Sequence, residues 1–195
     1  MVPERDPATG HLPPGRYRCS LGEVHDRFVL AADMQPSTAR PALWSGLLAY
    51  LGAWRDAEAD LSPHLAGRPL VKCVWLAGGF ISGQHEPGNV DLTVLIDGDA
   101  VDLCKGRPGA GVVRRLSDRD DMLQRFRVSA CVVRYRYVRS PFRLQSLGGS
   151  PELDYLAQRG AFDDWWQRNR PSGQPKDEPT EQTSHWTRGY LEVSL

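Results

Sequence analysis

Val74-Trp75-Leu76-Ala77-Gly78-Gly79-Phe80-Ile81-Ser82-Gly83-Gln84-His85-Glu86-Pro87-Gly88-Asn89-Val90-Asp91-Leu92-Thr93-Val94 sets the architecture of this chain. The residues from Leu70 to Leu76 form a nearly continuous apolar run, the pattern of a buried strand. Gly78-Gly79 breaks that run, and the Gly- and Pro-bearing residues from Phe80 to Gly88 read as a loop. A second strand follows from Val90 to Ile96, where Val90, Leu92, Val94 and Ile96 alternate with Asp91, Thr93 and Leu95. Asp97-Gly98 closes it with a turn signal.

Outward from this hairpin, Pro41 opens a helix whose Leu43, Trp44, Leu47, Leu48 and Leu51 share one face, extended by Trp54. Ser20 and Glu23 stand at capping-box spacing in the mixed stretch from Tyr17 to Ala32, and Ser117 with Asp120 marks another helix start. Lys105 to Gly111 reads as a surface loop. Ser129 to Val138 is a third strand, with Arg134 and Arg136 on one face and Val133, Tyr135 and Tyr137 on the other. Pro151 to Arg168 suits a long helix, and Gly189 to Leu195 a terminal strand with one buried face. The expected fold is α/β (α+β): a mixed, mostly antiparallel sheet flanked by helices. A single domain over residues 11–195 is expected, after a disordered lead-in over 1–10, with a loop-rich extension at about 171–188.

Composition narrows the function classes. The chain has 195 residues, 41% of them hydrophobic, enough for a substantial core. Its 24 Lys and Arg balance 24 Asp and Glu, which argues against broad sequence-independent nucleic-acid binding. A local strip of Arg134, Arg136, Arg139 and Arg143 keeps a nucleic-acid or triphosphate backbone in view. Cys19, Cys73, Cys104 and Cys131 are too scattered for a zinc site and read as structural, with Cys73 and Cys131 inside apolar runs where a free thiol behaves as a small hydrophobe. No run approaches a membrane span, and the opening residues lack the apolar core of a signal peptide, so the cytoplasm is the expected address.

The chemistry centres on the hairpin. A glycine pair after a buried strand lets backbone amides approach a phosphate, and a carboxylate heading the neighbouring strand can hold Mg²⁺ beside it. This arrangement resembles the signature of the nucleotidyltransferase superfamily, with its polymerase-beta-like fold. There Gly-Gly or Gly-Ser is followed by two acids separated by one apolar residue. Gly78 and Gly79 match the glycine element, Asp91 matches the second acid, and Asn89 stands at the first. Leu12-Pro13-Pro14-Gly15, the segment from Glu23 to Phe28, and Arg188-Gly189-Tyr190-Leu191-Glu192-Val193 are similar in order and spacing to a group of small bacterial nucleotidyltransferase-like proteins. The resemblance implies a nucleoside triphosphate and two Mg²⁺ ions held by the acid pair, with a third acid on a later strand.

Two departures shift the expectation from catalysis to binding. Asn89 is neutral, and the third strand carries no acid; Ser129 or Cys131 takes its place. Asp97, Asp99 and Asp102 follow the second strand as solvated turn acids. The expected protein therefore keeps the fold with a degenerate, weakly metal-binding site at Asp91 and Asn89. It binds a nucleotide or a protein partner, with Gly78, Gly79, Ser82, Arg134 and Arg136 on the ligand. The alternatives are an active Mg-dependent enzyme with Asp91 catalytic, moving a nucleoside monophosphate to a protein, RNA or small-molecule hydroxyl, and a non-nucleotide interaction module. His85 and Glu86 lie in the intervening loop. Adjacent Trp165 and Trp166 cannot both face inward on one helix, so one of them marks a partner or homodimer surface.

Overall fold

The apolar run and the alternating run become neighbouring strands. β2 (Val71–Ala77) pairs antiparallel with β3 (Val90–Asp97), Leu76 beside Leu92 and Ala77 beside Asp91. The structure, a computed structural model, describes residues 2–143, 149–169, 181 and 183–195. β3 pairs parallel with β4 (Val128–Tyr135), and β2 pairs antiparallel with β5 (Gly189–Val193). β5 pairs in turn with β1 (Gly15–Cys19), in parallel. The five-stranded order is β1-β5-β2-β3-β4. The expected mixed sheet flanked by helices is thus present, its pairings divided evenly between parallel and antiparallel.

β5 sits inside the sheet, so all five of its residues are buried rather than one face of them. Its Glu192 is satisfied by Arg18 at 2.8 Å and by the Trp75 indole at 3.1 Å. β1 went unread because its alternating arginines resemble a loop; it is an edge strand, and its Arg16 lies 5.5 Å over the Trp75 ring.

The helices follow their caps. Ser20 and Glu23 form the expected capping box on α1 (Leu21–His25), which continues as a π-helical turn over Asp26–Leu30. α2 (Ala39–Leu61) starts two residues before Pro41, and it buries Leu43, Leu47, Tyr50, Leu51 and Trp54 in the core. Asp97 does not end β3 in a plain turn. Its side chain accepts from the amides of Asp99 and Ala100 and so caps α3 (Gly98–Leu103). α4 (Gly111–Leu116) follows, and α5 (Arg119–Phe126) is capped by Asp118 rather than Ser117. α6 (Pro151–Gln167) crosses the Asp91 face of the sheet, where Trp166 donates to the Thr93 hydroxyl at 2.8 Å. No helix among the described residues is long and apolar enough to cross a membrane.

Two expectations about the ends need restating. Residues 2–10 are not a free lead-in: Val2 belongs to the core, and the Gly83 amide donates to the Gly10 carbonyl at 2.7 Å. Most of the extension expected at 171–188 lies outside the described residues; within it, Arg168 bridges to Trp186.

The loop after β2 is shaped by one buried cation. Arg40, 0% exposed, donates to the carbonyls of Phe28 and Phe80 at 2.7 Å, of Ser82 at 2.9 Å, and of Gln84. Burial lowers its pKa to about 10, so it is charged at neutral pH. Arg40→Lys keeps a charge but cannot span four carbonyls with one ammonium. In urea unfolding it should lower stability by roughly 3 kcal/mol, leaving buried carbonyls unpaired; a loss below about 0.5 kcal/mol would mean that the loop holds itself.

Candidate functional site

Gly78, Gly79, Asn89 and Asp91 do converge. They line one cleft of about 600 Å³ with Ser129 and Cys131 of β4, Arg119 and Leu123 of α5, Phe162, Trp165 and Trp166 of α6, and Arg168 and Arg188. The topology explains the meeting. The antiparallel β2–β3 pairing sets Ala77, just before the glycines, beside Asp91, and the parallel β3–β4 pairing sets Asp91 beside Ser129.

The packing of neighbouring side chains also requires the glycine pair. Gly78 has φ +71°, and a Cβ there would collide with the Asp91 carboxylate; one on Gly79 would collide with the Gln84 amide. The missing side chains make room for Asp91 and Gln84, not for a phosphate alone. Asn89 Nδ2 donates to Asp91 Oδ1 at 2.9 Å, so the two residues expected to share a weakly held metal are bonded to each other.

Three expected ligand residues lie elsewhere. Ser82 is 4% exposed and staples the loop, donating to the Gly79 carbonyl at 2.8 Å and accepting from the Gln84 amide at 3.2 Å. Arg134 and Arg136 do not flank the cleft. Arg134 pairs with Ile96 at the opposite end of β3, five residues beyond Ser129 and so about 16 Å along the strand. Arg136 is locked onto Asp99 and Asp102, and Arg134 lies 3.5 Å from Asp102. Asp97 is held by Lys72 at 2.8 Å and Arg68 at 3.1 Å. These acids cannot complete a site at Asp91. In the loop, Glu86 accepts from the Thr38 and Ala39 amides at 2.9 Å and caps α2, while His85 is exposed.

Pattern reading missed Arg119, Arg168 and Arg188. Arg119 Nε donates to Ser129 Oγ at 2.8 Å. Arg188 Nε donates to the Trp166 carbonyl at 3.1 Å, and Arg168 pairs with Asp164. One clue was present: an arginine in the first turn of α5 opposes the helix dipole. Trp166 is 7% exposed and Trp165 is 40% exposed, so the adjacent pair divides between core and cleft. The Cys131 thiol is raised by burial, an effect Arg119 opposes and Asp91 reinforces, which places both charges around it.

The donor set decides what the cleft can hold. Asp91 is the one carboxylate among its described lining residues, against three arginines. Two divalent ions bring four positive charges, which a single carboxylate and an amide already turned toward it cannot balance. No group of three or more His, Cys, Asp or Glu among the described residues could hold a metal ion. The residues present do not fit a two-metal centre. What they offer instead is arginine and aromatic side chains around one carboxylate.

Residues 3–193 match a family described as a family of unknown function, DUF6932. The chain belongs to that family. No curated protein and no solved structure matches it.

Two outcomes follow. Asn89→Asp with Ser129→Asp sets three carboxylates around the Asp91 position, and the double variant should take up Mn²⁺ in an electron paramagnetic resonance titration that leaves wild type unchanged; equal uptake by both would contradict this account. At the far end of β3, burial raises the pKa of Asp97, but Lys72, the Ala100 amide and Arg68 together hold it below the usual carboxylate range. A lowered folded pKa means stability that is complete above the unfolded value and lost as pH falls. Asp97→Ala should then cost about 2 kcal/mol near neutral pH, and the gap from wild type should narrow below about pH 4; a gap independent of pH would refute the charge assignment.

Proposed function

We propose that this chain is a nucleotidyltransferase-fold protein that binds a nucleotide through its phosphates and does not transfer one. The observation that carries the reading is the charge lining the cleft, where Arg168 is paired with Asp164 and Arg119 and Arg188 stand against Asp91, the one carboxylate among the described lining residues, beside an exposed indole. Guanidinium groups bind phosphate oxygens in charge-assisted pairs. Trp165, exposed at the cleft, presents an indole on which a base can stack. The strand–glycine pair–loop–strand order, with Asp91 beside the turn, supports the resemblance to the superfamily.

The non-catalytic half of the reading rests on what Asp91 lacks. Phosphoryl transfer depends on placed charge at the transferring group. Here Ser129 stands beside Asp91 where an acid would serve, and Asn89 donates to Asp91 instead of joining it as a ligand. What remains is an anion receptor with a hydrogen-bond acceptor on its floor.

Titration with ATP, GTP, CTP and UTP, followed by tryptophan fluorescence, tests this. Saturable binding that weakens as salt rises is expected, and Trp165→Ala should reduce affinity about tenfold through lost stacking. Turnover of any of the four, abolished by Asp91→Ala, would overturn the non-catalytic reading. Unchanged fluorescence and no heat of binding with all four would overturn nucleotide binding and leave a protein segment as the occupant of the cleft.

A further inference from the structure

We infer that the cleft takes its phosphate ligand free of any divalent cation, with Arg119 supplying the charge and Ser129 holding Arg119 in place. The inference rests on the anion-binding reading of the cleft and names the form of ligand that this site prefers.

Ser129 is 4% exposed and is the register partner of Asp91 across the parallel β3–β4 pairing. Partners in such a pairing direct their side chains to the same face. A carboxylate there would face Asp91 and draw Arg119 into an ion pair. A hydroxyl instead accepts the Arg119 Nε at 2.8 Å without neutralising its charge. Neither Arg119 nor Asp91 has an ion-pair partner among the described residues. Arg119 also sits in the first turn of α5, where a cation opposes the helix dipole, so neither helix nor salt bridge accounts for its position.

The remaining polar groups set the ligand's orientation. Arg188 lines the same cleft, anchored through Nε on the Trp166 carbonyl. Asp91 repels a phosphate but accepts from a hydroxyl, and its Oδ1 already receives the Asn89 amide. A phosphate monoester carrying a neighbouring hydroxyl, as a ribonucleotide does, satisfies both ends: phosphate toward Arg119 and Arg188, hydroxyl toward Asp91. Mg²⁺ on the phosphate would mask the charge that Arg119 recognises.

The test is a calorimetric titration of the whole chain with ATP and with AMP, in EDTA and in excess Mg²⁺. Binding in EDTA is expected to equal or exceed binding in Mg²⁺. Arg119→Ala, or Arg119→Gln should the alanine variant fail to fold, should weaken it on the order of tenfold or more in EDTA. Ser129→Ala should weaken it less, and not at all in the Arg119→Ala background, since a positioning residue acts only through the group it positions. Binding that requires Mg²⁺ would overturn this inference while sparing the nucleotide reading. So would wild-type affinity in both Arg119 variants, or an undiminished Ser129→Ala effect without Arg119. Absence of binding in both buffers would overturn the inference and the reading beneath it.

Discussion

The cleft depends on a single buried guanidinium. Arg40 lies wholly inside the protein and donates to four backbone carbonyls, three of them in the loop that joins β2 to β3. Burying a charge is costly unless dipoles replace the lost water. Here peptide carbonyls do so. The result is a loop curled tightly around one cation. Arg5, which donates to the Ser82 carbonyl at 3.2 Å, and the Gly10–Gly83 backbone bond fasten its outer side. The chain's first residues thereby become part of the site's foundation.

That fixed loop leaves the Asp91 carboxylate nested against Gly78 with Asn89 turned toward it, and it leaves the positive charge to side chains from elsewhere. Arg119 arrives from α5, Arg168 from just beyond α6, and Arg188 from just before β5. They belong to three separate stretches of chain that the sheet order brings to one end of β3. The same topology sends Arg134 and Arg136 to the other end, where they pair with Asp99 and Asp102. The sheet thus sorts its arginines into a group that lines the cleft and a group paired with the acids of α3.

This sorting explains what could be read from the chain and what could not. The β2–β3 hairpin, α2 and α6 were legible because long apolar runs and periodic faces are local signals. The convergence of Gly78, Gly79 and Asp91 followed from that hairpin. β5 was placed correctly but assigned one buried face, since a strand's rank in a sheet is not written in its own residues. Asp97-Gly98 carried a real polar signal, yet Asp caps helices with the same chemistry that closes turns. The Arg40 clamp was invisible because its partners are carbonyls, which every residue possesses. Arg134 and Arg136 were misplaced because strand direction, parallel rather than antiparallel beside β3, decides which end of β4 reaches the cleft. Arg119 reaches it through Ser129, a residue noticed only for the acid it was not.

A crystal grown with AMP and Mn²⁺, with diffraction measured at the manganese absorption edge, tests the central claim most directly. The account predicts phosphate density against the Arg119 guanidinium and no anomalous peak at Asp91. An anomalous manganese peak bonded to the Asp91 carboxylate and bridging to the phosphate would contradict it.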